Sequence, residues 1–242
     1  MRKFFWVKGV KVYAFNRIDS TNNEAVRRIK KGVSLPALFI AKSQTAGKGT
    51  RGRKFYSNGG GLYMSFALKT DEIRIQKLTV LAAVATAEAI EHLSGVKVGI
   101  KWVNDIYIGN KKVCGILSEK VANPENNKTI GVVIGIGVNL FVKNFPKEIE
   151  EIAVSLNKKG VTPKKLATEI TNRILKLLSS NEDFMPYYRE KSVLIGKEIS
   201  YVQNGNTYTA TAVDIDDSGA LIVKDNDNNT AILTSGDVML QK

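Results

Sequence analysis

Between Gly47 and Lys54 the chain reads Gly-Lys-Gly-Thr-Arg-Gly-Arg-Lys, three glycines interleaved with the cations Lys48, Arg51, Arg53 and Lys54. Glycine-rich backbone offers unhindered N–H groups, and with that much positive charge beside them the segment is suited to closing over phosphates or a carboxylate. The spacing satisfies G-x-G-x-x-G, but the residues that follow, Phe55-Tyr56-Ser57-Asn58 and three more glycines, open no helix, which excludes a dinucleotide fingerprint. A Walker A reading fails as well, because Arg53 and Lys54 stand where the lysine and the metal-binding hydroxyl belong. Two smaller clusters accompany the loop. Lys101-Trp102-Val103-Asn104-Asp105 gathers a charged pair, an amide and a large aromatic ring at a strand end. Lys112 to Glu119 places a lysine at the mouth of a strand and Gly115 where a ligand could come close to backbone. With one cysteine, Cys114, and one histidine, His92, the chain can build neither an internal disulfide nor a Cys/His zinc site. Triad chemistry would rest on His92 alone, at the end of an apolar helical stretch, so any catalysis is expected to work by positioning and electrostatics.

The elements that must hold these clusters follow from periodicity. Val10 to Phe15 alternates as a strand, and Thr21-Asn22-Asn23-Glu24 reads as a capping box opening a helix that stops at Gly32. Ala37 to Ser43 and Leu62 to Leu68 read as strands flanking the long basic loop Gln44 to Gly61. Ile75 to Leu93 is apolar nearly all round, which predicts a helix buried against a sheet. Val98 to Trp102, Asp105 to Ile108, a Gly109-Asn110 turn, Val113 to Val121 and Ile130 to Val138 continue the strands. Thr162-Pro163 starts an amphipathic helix through Leu166, Ile170, Ile174 and Leu177, and a last helix is expected over Glu182 to Lys191. Beyond Gly196 short strands separated by Asn-Gly and Asp-Ser-Gly turns predict a small β-barrel or sandwich.

The bulk composition narrows the class. At 242 residues, 43% hydrophobic and 24% charged, the chain matches an ordinary globular protein and excludes collagen-like or disordered classes. Its longest charge-free apolar run, Leu78 to Ala87, falls far short of the ~20 residues a membrane-spanning helix needs. The apolar run Phe4 to Val7 is broken at Lys8 and makes no secretory segment, so a cytoplasmic location without membrane association is expected. The net charge of +13 is uneven: residues 1–194 carry +17 and residues 195–242 carry −4. That step marks a candidate domain boundary, residues 1–193 against 194–242, and the basic part suits an anionic partner.

Taken in order, Ser20-Thr21-Asn22, Gln44-Thr45-Ala46-Gly47-Lys48-Gly49-Thr50-Arg51-Gly52-Arg53, Lys101 to Asp105, Lys112 to Glu119 and Gly135-Ile136-Gly137-Val138-Asn139 resemble the biotin protein ligases, and the tail Val213 to Val238 is similar to the family's small C-terminal barrel. The resemblance covers nearly the whole chain. It implies an α+β fold, a mixed sheet backed by helices and followed by a small SH3-like barrel. It also implies a ligase that joins biotin to the α-phosphate of ATP, releases pyrophosphate, and passes biotin to a lysine of a biotin carboxyl carrier domain, with Mg2+ assisting.

By the same resemblance, Ser20, Thr21, Asn22, Gln44, Gly47, Gly115 and Gly135 would line the biotin site, under a loop carrying Lys48, Gly49 and Thr50. Arg51, Arg53, Phe55, Asn104 and Asn139 would face ATP, with Phe55 where a tryptophan is common near adenine. Lys112 would bridge the biotin carboxylate and the phosphate. Two anions must meet for in-line attack, and fixed positive charge from Lys112 and Arg53 offsets their repulsion. Asp105, or Asn104 beside it, would stand near the metal, and Asp105 would orient or deprotonate the acceptor lysine.

Thr50 and Lys48 stand where the family usually carries arginine, and Val103 replaces a proline. Thr50 lacks a forked guanidinium, a role Arg51 could take from the next position. Two other readings remain in view. A lipoate or octanoate ligase shares the adenylation chemistry, but Gln44 and the Gly47 to Gly52 loop favour biotin. A DNA-binding regulator would suit the basic charge, yet the stretch before Asp19 leaves no room for a helix-turn-helix domain, so a monofunctional ligase without specific DNA binding is expected. Monomer and homodimer are both left open.

Overall fold

The computed structural model describes residues 3–69, 75–180, 182–203 and 205–241. Strand β1 (Lys3–Val7) turns through Lys8 and Gly9, both at positive φ, into β2 (Val10–Ile18), the geometry two-residue hairpins favour. The segment before Lys8 thus pairs as an edge strand, which the broken apolar run had not suggested. Helix α1 (Thr21–Lys30) then crosses to β3 (Ala37–Gln44), which runs parallel to β2, the one parallel pairing between strands of this sheet among the described residues. Every later pairing is antiparallel: β4 (Gly61–Leu68), then, after α2 (Ile75–Ser94), β5 (Gly99–Lys101), β6 (Asp105–Ile108), β7 (Lys111–Ala122) and β8 (Thr129–Asn139). The order across the eight-stranded sheet is β1-β2-β3-β4-β8-β7-β6-β5, mixed as expected.

Helices cover both faces, which is why β4 is buried along its whole length. Leu62, Met64 and Phe66 point to one side, into the larger core with α2 and with α3 (Pro163–Ser179). The apolar girdle of α2 is explained by its place between α3 and β7. Cys114 belongs to that core, and burial pushes its thiol up, so it stays neutral there. On the opposite face lies the smaller core of α1, built from Ala25, Ile29, Phe39, Ala67 and Val133. Beyond α1 that face opens, and the polar residues of the chemistry collect there.

Three expectations need correction. The capping residue of α1 is Ser20, whose Oγ accepts from Asn23 N at 3.5 Å. The Thr21 hydroxyl is drawn to tertiary partners instead, and Glu24 pairs with Arg27 and Arg28 rather than closing a capping box. Helix α4 spans only Met185–Glu190, because Pro186 belongs in a first turn, where its missing N–H costs nothing. Finally, the C-terminal strands β9 (Glu198–Gln203), β10 (Asn206–Ile215), β11 (Leu221–Lys224), β12 (Thr230–Leu233) and β13 (Val238–Leu240) form an open antiparallel sheet in the order β12-β11-β10-β9-β13. The expected barrel does not close, because its two outer strands are short and pair with inner strands only. Of the Asn-Gly turn expected before β10, Asn204 lies outside the described residues.

This sheet is anchored to the larger one by specific bonds. Trp102 Nε1 and Gln76 Nε2 both donate to Gly219 O, at 2.8 and 2.7 Å. Arg189 Nε donates to Ile215 O at 2.6 Å, and the same guanidinium pairs with Asp217. Replacing Trp102 by phenylalanine keeps most of the buried ring but removes the donor. A loss of about 1–2 kcal/mol is expected, read as a lower denaturant midpoint with an unchanged slope.

Candidate active site

The first wall of the site is the start of α1. Ser20, Thr21 and Asn22 are all buried; Ser20 caps its own helix, while the polar atoms of Thr21 and Asn22 meet neighbours far away in sequence. Gln44, at the end of β3, turns its Oε1 to Thr21, accepting from Thr21 N at 2.7 Å and from Thr21 Oγ1 at 3.1 Å. That commitment leaves the Gln44 Nε2 donors as the amide's free polarity. Ser65, wholly buried in the middle of β4, lies 2.7 Å from Thr21 Oγ1 and 2.5 Å from Asn22 Oδ1. Asn22 Nδ2 donates to Glu119 Oε2 at 2.7 Å, so both ends of its amide are held.

The basic loop is folded back on itself. Phe55 N donates to Gly47 O at 2.9 Å, Gly49 N donates to Arg53 O at 2.7 Å, and Lys48 bridges Lys54, making a narrow finger. Its tip is the turn Thr50–Gly52, where Arg51 takes φ 55°. Gly47 is required at the base: a Cβ there would lie 2.5 Å from Phe55 O. Lys48 Nζ reaches Glu119 Oε1 at 3.2 Å. Arg51 and Arg53 reach the other way, to the carboxylate of Asp237 just before β13, at 2.9 and 2.7 Å. Burial pushes the Asp237 carboxyl up, but hydrogen bonds and charge from Arg53 and Arg51 bring it below its ordinary value.

The floor is the sheet itself, cleared by glycines. The Phe55 ring lies over Gly137, where a Cβ would sit 2.5 Å from Phe55 Cε1, and meets Tyr63 edge-on at 6.4 Å between centroids. Burial pushes the Tyr63 phenol up to about 12, and its hydroxyl donates to Gly59 O at 3.0 Å. The Lys112 side chain runs across Gly115, where an added Cβ would come within 3.1 Å of Cε and Nζ. Lys112 Nζ stops 2.7 Å from Asp105 Oδ1, a short ion pair whose alignment is not that of a hydrogen bond. The Lys112 backbone is fixed by bonds to Ile152 and Val154 at 2.8 and 2.9 Å. Asn104 is fixed to β7 through Nδ2 to Ile116 O at 2.7 Å.

Together these walls enclose an open cleft of about 470 Å³, open solvent included. It brings together Ser20, Thr21, Asn22, Gln44, Lys48, Gly49, Thr50, Phe55, Asn104, Lys112, Gly115 and Gly135. Gly47 and Asp105 adjoin it through Phe55 and Lys112. Arg51 and Arg53 are not in its lining, because Asp237 holds them outside. Asn139 is buried at the end of β8, also outside the lining, with its Oδ1 lacking any partner. Tyr63 lines the cleft without having been singled out from sequence, and Ser65 and Asp237 support it unforeseen; Gly137, in the lining, and Glu119, behind it, were quoted only within motifs and given no role. Tyr63 and Ser65 alternate with apolar residues in β4, a signal of two-faced polarity that the overall apolar run concealed.

Among the described residues no group of three or more His, Cys, Asp or Glu is placed to hold a metal ion. Asp105 offers one carboxylate, already engaged by Lys112, so the donor set does not build a resident Mg2+ site. No helix among the described residues is long and apolar enough to cross a membrane.

Comparison with known proteins places this geometry in context. The family model described as biotin/lipoate A/B protein ligase matches residues 14–139, and that of the biotin protein ligase C terminal domain matches residues 194–240. The chain is 32% identical to the bifunctional ligase/repressor BirA of Bacillus subtilis, over 87% of this chain and 68% of that protein. It is 30% identical to the biotin--[acetyl-CoA-carboxylase] ligase of Mycobacterium tuberculosis, over 91% of this chain and 85% of the other. Among solved structures, the biotin protein ligase from Aquifex aeolicus in complex with biotin and ATP superposes with a TM-score of 0.80 at 27% identity, covering 96% of this chain and 98% of that one.

Proposed function

The chain belongs to the biotin/lipoate A/B protein ligase family, and from that premise we propose how its cleft activates biotin with ATP and transfers it to a carrier lysine. The observation that carries the assignment is Lys112. Its ammonium ends over the glycine floor, between the polar wall at Ser20 to Asn22 and the finger that carries Arg51 and Arg53. A biotin carboxylate reaching out of the polar wall meets the α-phosphate there. A carboxylate oxygen attacks the α-phosphorus, pyrophosphate leaves, and Lys112 offsets the charge that gathers between the two anions. Gln44 Nε2 and the Ser20 hydroxyl supply donors to the biotin ring system. Arg53 and Arg51 leave Asp237 for the triphosphate, which outbids one carboxylate in charge. Phe55 stacks on adenine, Asn104 lies beside the phosphates, and Asn139, buried at the end of β8, stands beside the nucleotide. Magnesium, brought as the counter-ion of ATP, would neutralise part of the triphosphate charge, and the chain's residues carry the rest.

In the second step a carrier lysine attacks the acyl carbon of biotinyl-AMP, AMP leaves, and an amide forms. The attacking amine must be neutral, and Asp105 is the carboxylate nearest Lys112 to orient it and take its proton. Asp105→Asn is expected to lower transfer to a carrier domain by about 10²-fold while adenylation falls far less. The check is single-turnover transfer from preformed biotinyl-AMP, and unchanged transfer removes Asp105 from the step. Residues 1–193 form the catalytic unit in this reading, and 194–242 supply Asp237 as a counter-charge to the finger. The acceptor is a biotin carboxyl carrier domain, the substrate class that the names of the relatives imply.

The deciding experiment is ATP–pyrophosphate exchange by the purified protein with biotin, lipoate, octanoate or no acid. Exchange with biotin alone is expected. Exchange with lipoate or octanoate in its place would keep the chemistry and change the substrate, and exchange with none would overturn the ligase reading.

A further inference from the structure

The polar contacts around the cleft form a closed ring rather than a set of separate bonds. From Gln44 the chain of contacts passes to Thr21 on α1, to Ser65 on β4, back to Asn22 on α1, then to Glu119 on β7 and to Lys48 on the finger. The backbone from 44 to 48 completes it. Glu119 is the one member that joins the pocket wall to the finger: one carboxylate oxygen takes Asn22 Nδ2 at 2.7 Å, the other Lys48 Nζ at 3.2 Å. It projects from the sheet face that carries Gly115 and Leu117, four and two residues earlier on β7, and both of these line the cleft.

We propose that Glu119 is a positioning residue that couples the biotin wall to the closure of the glycine-rich finger. This rests on the ligase reading and adds to it a residue that touches neither substrate. Asn22 presents a fixed amide only while both its ends are held, and Lys48 stays over the cleft only while a charge on the sheet attracts it. One carboxylate does both, so ordering of the wall on binding biotin is passed to the finger, and a loosened finger weakens the wall. The pair is partly exposed, so its effect is a tuning one rather than a switch.

Glu119→Gln separates the two halves of the role, since its amide oxygen still accepts from Asn22 while the charge on Lys48 goes unanswered. In the unliganded protein the variant is expected to be cut by trypsin at Arg51 and Arg53 about threefold to fivefold faster than the unaltered chain. In biotin-dependent exchange the same factor is expected in KM for biotin, with kcat little changed. Lys48→Met should raise that KM alike, and the double variant should be no worse than either single one, because both remove the same interaction. Glu119→Ala, which also frees Asn22, should be worse than Glu119→Gln. Cleavage of Glu119→Gln at the unaltered rate, or additive effects in the double variant, overturns the proposal. Absence of biotin-dependent exchange in the unaltered protein overturns the ligase reading instead, while the cleavage rates still decide whether Glu119 holds the finger.

Discussion

Replacing Lys112 by alanine is expected to lower biotin-dependent ATP–pyrophosphate exchange by about 10³-fold, the scale seen when one preorganised charge is removed from a developing transition state. The fold should survive the change. The Lys112 backbone keeps its bonds to Ile152 and Val154, and the side chain is a third exposed, so far-ultraviolet circular dichroism and the melting temperature should stay close to those of the unaltered protein. The loss should fall on kcat rather than on KM for biotin, because the ring system is bound at the α1 wall and the ammonium acts where carboxylate meets phosphate. An exchange rate within tenfold of the unaltered chain would remove Lys112 from the chemical step and leave the cleft without a charge at its centre.

Gly135→Ala is the second change with a large expected effect, and it acts by a different route. A Cβ at this position would run into the Asn22 carboxamide, which lies directly over the strand. Asn22 cannot step aside freely: its Oδ1 is 2.5 Å from Ser65 Oγ and its Nδ2 is 2.7 Å from Glu119, with the whole side chain buried. Accommodating one methyl group therefore means overpacking and breaking buried hydrogen bonds together, about 2–4 kcal/mol of stability. Denaturant unfolding should show a lower midpoint, and biotin dependence of exchange should weaken at least tenfold. Gly115→Ala should be milder, because there the obstacle is the flexible end of Lys112. Equal stability of Gly135→Ala and the unaltered chain would mean that α1 is not held against the sheet as described.

The fate of the charges shows where sequence reasoning stopped. The uneven distribution, +17 against −4, was legible as a step between a basic part and an acidic C-terminal part. Which charges meet was not. Asp237 is separated from Arg51 and Arg53 by more than 180 residues, and nothing in the local sequence of Gly236 and Asp237 distinguishes that carboxylate from Asp225, which bonds only within its own turn. The capping of α1 was misread for a related reason: Ser20 and Thr21 are both competent N-caps, and the choice between them was made by Gln44 and Ser65, which claim the Thr21 hydroxyl from other strands.

Periodicity determined most of the strand and helix succession and the buried α2, because these depend on which side of a local element is apolar, and turn chemistry marked the two-residue hairpin at Gly109-Asn110; the edge strands β1 and β13 escaped it, and the mixed sheet was implied by the family resemblance. Residue types in their order were enough to mark the finger and Lys112, since an anion-binding site must have cations and unhindered backbone, whereas the α1 wall was marked only by the family resemblance. What only the tertiary structure decided was pairing at a distance. Pairing of the outer C-terminal strands, or its absence, settles whether that sheet closes, and one carboxylate each at Asp237 and Glu119 settles where the finger's cations rest. Those outcomes turn on a few ångströms between residues far apart in sequence, a quantity no local pattern encodes because hydrogen bonds and ion pairs are short-ranged while the chain that brings them together is not.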